Sequence, residues 1–357
     1  MFDRRRLMSW AAGAMATVPA AARAQQRAGG RVQTYSVDLD GLAKAFPERA
    51  LANGLPASLR RFGIWLHGKP WGAVGTFDLT TRWSDAYFPG AEARYDDFAL
   101  FIRLPDGSSA GYWLAGGDPA RAPIVLLGSE GERAVLAPDI ETLIARIALG
   151  RFSPKGAEAE FLYPQVDFGQ GRPPDLRGAL KGFLRDELGV ADPDRRVANQ
   201  RASGDFVGWM DRVARDGEQR FEADPAVTAM WRLLQPYRPT AGAPSVVETM
   251  VNVTWAGDHF RAWVAAAQPK PLAETEALRP HLAALRDKAA ETPGLGLWHG
   301  ASLMVGRDRI ERLVTNYIYQ SEFSLGRPPA EAFREDQSRA PRAARRIPAW
   351  LGAMLAG

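Results

Sequence analysis

The chain predicts an α+β fold in two domains, each an antiparallel or mixed sheet with packed helices. Three observations carry that prediction. The 357 residues, 46% of them hydrophobic, suffice to bury two cores of ordinary size. Short aromatic and branched runs punctuated by Gly and Pro read as strands and turns. The order strand, hairpin, helix recurs in both halves, which leaves a distant duplication open.

The first element is a leader. MFDRRRLMSWAAGAMATVPAAARA (residues 1–24) has a charged start, a moderately apolar middle and the ending Ala22-Arg23-Ala24, the three-part plan of an export signal. Arg4 and Arg5 with Leu7 resemble a twin-arginine signal. The mature chain is therefore expected to begin near Gln25 and to work in the periplasm, or in the cytoplasm if the signal is not used. Four arginines against Asp3 account for most of the formal net charge of +4, leaving about +1 beyond residue 24. A nucleic-acid partner, which wants a concentrated basic face, is not expected. Cysteine is absent, so the cores must hold the mature fold together without disulfides. No transmembrane segment is expected in the mature chain, because no other apolar run reaches spanning length.

The first α+β domain is assigned to residues 31–155. From Trp65, GIWLHGKPWGAVGTFDL reads as short strands with turns. FALFIRL (98–104) and GYWLA (111–115) flank PDGSSA, in which Pro presets φ and Gly accepts positive φ, and together they predict a hairpin. The runs 124–127 and 134–137 flank GSEGER and predict a second one. A helix follows, with Asp139 as its N-cap, Ile140, Leu143, Ile144 and Ile147 on one face, and Gly150 just past its end.

Residues 156–224 turn to Gly, Pro and charge and predict a partly helical connector, with helical pieces at 176–188 and 206–221. A second α+β domain is assigned to 225–357. It runs through a helix at 226–234, strands at 247–255 and 260–266, a helix at 273–291, and a hairpin over 300–319 turning at Gly306-Arg307-Asp308. Pro329 opens a helix that ends near Pro341.

Chemistry is hard to find in these residues. His67, His259, His281 and His299 are too scattered for metal-ligand spacing, and neither a metal nor a cofactor is expected. Gly128 adjoins Ser129, which breaks the G-x-S-x-G pattern of a nucleophile elbow. No phosphate loop or dinucleotide fingerprint occurs. No side chain stands out as a general acid or base, so no catalytic residue is assigned. Eleven tryptophans remain, a stock suited to core packing and to the anchors of protein interfaces.

The stretch DGSSAGYWLAGGDPARAPIVLLGSEGERAVLAPDIETLIARIALG resembles the SUKH superfamily, in its D-G-S turn, aromatic strand, L-G-S-E-G loop and terminal amphipathic helix. The likeness covers about 60–155 and matches at Asp106, Gly107, Trp113, Gly128, Ser129, Glu130 and Gly131; Ser109-Ala110 lengthens the turn by one residue. A weaker likeness, to YezG-like immunity proteins, covers about 298–354 through Asn316-Tyr317, AEAFREDQ and IPAWL. The resemblance implies a non-catalytic immunity protein whose partner is a protein, a toxin exchanged between competing cells. The residues expected to face that partner are Asp106, Trp113, Ser129, Glu130, Glu132, Trp298 and Tyr317. An envelope hydrolase of unrecognised type and an envelope scaffold are the alternatives.

Overall fold

The structure is a computed structural model. It describes residues 33–51, 54–80, 92–115, 118–128, 132–151, 173–200, 204–239, 249–266, 268–317 and 323–357. Two five-stranded antiparallel sheets with helices confirm the α+β class. The described residues fall into two compact units, the first drawn from Met1–Trp83 and Asp96–Gly208, the second from Ser84–Tyr95 and Trp209–Gly357. No helix among them is long and apolar enough to cross a membrane. The leader expected at residues 1–24 lies outside the described residues.

The first sheet is a simple meander of β1 (Asp78–Leu79), β2 (Phe98–Arg103), β3 (Ser109–Trp113), β4 (Ile124–Leu127) and β5 (Arg133–Ala137). Both expected hairpins form, β2–β3 across the Asp106-Gly107 turn and β4–β5 across the GSEGE loop. Two register shifts bend this sheet toward its core. Pairing jumps from Leu100↔Gly111 to Ile102↔Ala110 and from Ile124↔Ala137 to Val125↔Val135, so Phe101 and Leu136 are inserted residues. Both join the main core, at 0% and 1% exposure. Beside the first shift, Gly111 is indispensable for space: a Cβ there would lie 2.1 Å from the Ala99 carbonyl oxygen and 2.6 Å from Leu100 Cα.

Helices α1 (Leu39–Ala43), α2 (Ala57–Leu66), α3 (Ile140–Ala148), α4 (Arg177–Leu188) and α5 (Pro193–Ala198) complete this unit. α3 forms as expected, with the Asp139 carboxylate accepting from Thr142 N at 2.7 Å and Gly150 at φ +68° past its end. Its neighbours are α2, α4, α5 and β5.

Two expectations are corrected. The run from Trp65 is not a set of short strands: Gly63–Leu66 ends α2, and turns lead to the two-residue β1. Leu59, Phe62 and Leu66, all at 0% exposure, set a helical spacing that the aromatic and branched composition of the run conceals. Residues 173–200 are not a connector either. Leu180, Phe183, Leu184, Val190 and Val197 belong to the first unit's core, because the amphipathic α4 and α5 bury their apolar faces against α3.

The division between units falls within α6 (Phe206–Glu222), after Gly208. Beyond it come α7 (Pro225–Leu234), β6 (Thr249–Ala256), β7 (His259–Val264), β8 (Lys270–Pro271), α8 (Thr275–Ala290), β9 (Gly300–Val305), β10 (Ile310–Asn316), α9 (Ala330–Arg339) and α10 (Ala349–Ala356). The strand order β10-β9-β6-β7-β8 places β9 beside β6 after the chain has passed through α8. The two sheets therefore differ in connectivity, and the shared rhythm of the halves does not extend to strand order.

Candidate functional site

In a meander, alternate turns lie at the same end. The β2–β3 turn and the β4–β5 loop are therefore neighbours, linked by the pairing row Asp78↔Arg103↔Ser109↔Leu127↔Arg133. Ser109 and Leu127 are buried within this row, whereas Asp78 and Arg103 are exposed and Arg133 is half-buried. Asp106 and Glu132, at the tips beside the row, are both exposed. Two acidic tips thus stand next to each other, bordered by two arginines.

Each tip has a local reason for its shape. Asp106 Oδ1 accepts from Ser108 N at 2.9 Å and Oδ2 from Ser108 Oγ at 2.7 Å, an Asx turn that holds the carboxylate outward. At the second tip Gly128 N donates to the Glu132 carbonyl at 2.7 Å, and the Glu132 side chain folds over Gly128, where a Cβ would meet it. Ser129 and Glu130 lie outside the described residues. Trp113 is half-buried on the same sheet, with its ring centroid 5.3 Å from that of Phe206. It packs rather than projects.

Trp298 and Tyr317 are not surface residues. They are 0% and 3% exposed in the second unit, so neither side chain is offered to a partner there. Their surroundings hold a group of charges that periodicity did not reveal. Arg286 of α8 is 1% exposed, with its guanidinium 4.9 Å from the Trp255 ring centroid and 5.5 Å from that of Trp298. It donates through Nε to Trp298 O at 2.9 Å, through Nη2 to Trp255 O at 3.3 Å, and through Nη1 and Nη2 to the two carboxylate oxygens of Asp336. Asp336 Oδ1 also accepts from Gly257 N at 3.1 Å. Burial pushes the Arg286 pKa below its ordinary value, and the Asp336 charge opposes that shift.

Arg342, 8% exposed, donates to the carbonyls of Tyr317 and Leu297 and lies beside His299. His299 in turn meets Trp350 edge-on at 4.8 Å between ring centroids. The pocket among Leu297, His299, Phe333, Asp336, Arg342 and Leu351 has room for about one water molecule. Arg286 and Arg342 are thus pins: they tie α8, α9 and the chain after α9 to backbone carbonyls of β6, of the run before β9 and of Tyr317 just past β10. Their signal in the sequence was slight, one of two arginines in the amphipathic pattern of α8 and one of three acids in AEAFREDQ.

A third polar cluster ties the helices of the first unit. Arg196 of α5 donates through Nη2 to Asp139 Oδ1 and through Nε to Thr142 Oγ1, both at 2.9 Å, while Ser58 of α2 donates to Glu141. Burial pushes the Asp139 carboxyl up, but the hydrogen bonds from Thr142 and Arg196 and the Arg196 charge outweigh it and hold the group below its ordinary value.

No protein-family model, no curated protein and no solved structure matches this chain.

Proposed function

We propose that this chain is an exported, non-catalytic binding protein that recognises a protein partner, of the immunity kind that neutralises a toxin in the cell envelope. The observation that carries the reading is the pair of neighbouring hairpin tips, with Asp106 and Glu132 exposed beside Arg103 and Arg133. Such a mixed-charge end of a rigid sheet suits recognition by electrostatic complementarity, which sets register and encounter rate. The Asx turn at Asp106 sets the first tip in advance, which lowers the ordering cost of binding. The SUKH-like run at Asp106–Gly150 supports the immunity reading, and the twin-arginine-like leader supports the envelope as its place of action.

The test is co-purification of a tagged chain from its native cells with the adjacent reading frames expressed. One stoichiometric partner is expected from the periplasmic fraction. Glu132→Arg and Asp106→Asn should weaken its retention, the second while keeping the Asx turn. Recovery of no partner, or equal retention by both variants, rejects the reading.

A further inference from the structure

Helix α2 carries a second surface, away from the hairpin end. Its inward residues Leu59, Phe62 and Leu66 are at 0% exposure and are used in the core. Ile64 faces outward and is 57% exposed, one of two large hydrophobic side chains strongly exposed among the described residues. Trp65 beside it is half-buried and firmly held. Its ring stacks on Phe62 at 6.3 Å, tilts against Phe183 at 5.4 Å, and carries Lys69 Nζ 4.4 Å from its centroid.

Within the run that carries this pair, the charged side chains have one sign. Residues 57–71 contain Arg60, Arg61 and Lys69, with His67 also exposed, and no Asp or Glu. None of the three cations forms an ion pair among the described residues, and Arg61 donates only to the Glu187 main-chain oxygen, at 2.6 Å. Of the nearby acids, Glu141 is engaged by Ser58 and Arg196 and Asp186 by Arg185, while Glu187, exposed, meets Arg61 through its main-chain oxygen. An exposed aliphatic side chain next to a pre-set Trp, ringed by unpaired cations, is an anchor with a charged rim.

We infer that the outer face of α2, through Arg60, Arg61, Ile64, Trp65 and Lys69, docks an acidic protein segment that brings an apolar side chain onto Ile64 and Trp65. A nucleic acid would call for a wider basic field, whereas the chain beyond residue 24 carries only about +1. A lipid surface would call for a wider apolar face, and the remaining large apolar residues of α2, Leu59, Phe62 and Leu66, are in the core. The inference rests on the binding reading above but on a different surface, so the two fail separately.

The experiment pans a display library of short random peptides on the full chain, with Ile64→Asp and the double variant Arg60→Glu/Arg61→Glu as parallel baits. Far-UV circular dichroism confirms that these exposed substitutions leave the fold intact. The expected result is enrichment of peptides combining Asp or Glu with aliphatic or aromatic residues. Binding of their synthetic forms should fall about tenfold or more on either variant and weaken with salt, yet persist on Glu132→Arg. Enriched peptides without an acidic bias, or equal binding by the variants, overturn the inference. So does tighter binding to duplex DNA or to phosphatidylglycerol vesicles than to any peptide. A co-purified partner retained by both α2 variants but lost on Glu132→Arg would remove the α2 surface and leave the hairpin end standing.

Discussion

The guanidinium of Arg286 and the carboxylate of Asp336, 50 residues apart in sequence, meet inside the second unit as a two-pronged ion pair, with the guanidinium set against the touching rings of Trp255 and Trp298. Removing one partner leaves a buried charge uncompensated. Asp336→Ala should therefore cost about 3–5 kcal/mol, whereas replacing both partners with apolar residues of similar volume should cost much less. Urea unfolding of the single and double variants checks this. Equal losses would mean that the pair contributes only by filling space.

Gly111 of β3 faces the Ala99 carbonyl of β2 too closely for any side chain. Gly111→Ala must push the strands apart next to the inserted Phe101, and a loss of about 1–3 kcal/mol is expected. Gly178→Ala should act in the opposite direction. That position lies in the exposed first turn of α4 with nothing within 4 Å of the added Cβ, so about 0.5–1 kcal/mol of helix stability should be gained. Thermal melts of the two variants should move in opposite directions.

Asp139 is held below its ordinary pKa in the folded chain, so it contributes stability that is fully present above its unfolded value of about 3.9 and is lost as pH falls through the folded value. Asp139→Asn keeps an N-cap acceptor for Thr142 N but ends the charge pairing with Arg196. The variant should be less stable at neutral pH and should lose less stability than the parent between about pH 5 and 2. Denaturant midpoints measured across that range decide the matter, and parallel curves would refute it.

The Tyr112 hydroxyl is buried, at 1% exposure, and finds no hydrogen-bond partner among the described residues. Burial pushes its phenol well above the ordinary range, and the Glu141 and Asp139 charges push the same way. Tyr112→Phe removes an unsatisfied polar atom from the core and should be neutral or stabilising by about 1 kcal/mol. Burial pushes the Tyr35 phenol up as well, so in an alkaline absorbance titration the parent should show at least these two tyrosines ionising only on unfolding, and the variant one fewer.

Local signals read well because each is complete within a few residues. Asp139, the apolar spacing of Ile140 to Ile147 and Gly150 define α3 without reference to anything distant, and Pro329 marks the start of α9 one residue ahead of Ala330. Both first-unit hairpins were legible from turn chemistry between apolar runs. Of the expected partner-facing residues, Asp106 and Glu132 do stand exposed and adjacent, because hairpin register alone puts their turns at one end of a meander.

What a helix or strand packs against is a different kind of information, and there the tertiary structure decided. Periodicity puts Arg286 on a helix with an apolar side, but only the convergence of β6, α8, α9 and the loop before β9 brings it against Trp298 and Asp336 as an interior charge cluster. Composition marked 156–224 as a connector, while the apolar faces of α4 and α5 were claimed by α3 to finish the first core. By itself the sequence determined the two first-unit hairpins, α3, the start of α9 and the acidic residues at the hairpin tips, since these depend on interactions a few residues long. The buried ion pair, the membership of each core and the outward Ile64 beside Trp65 were decided by the fold, since burial is a property of surfaces brought together from distant parts of the chain.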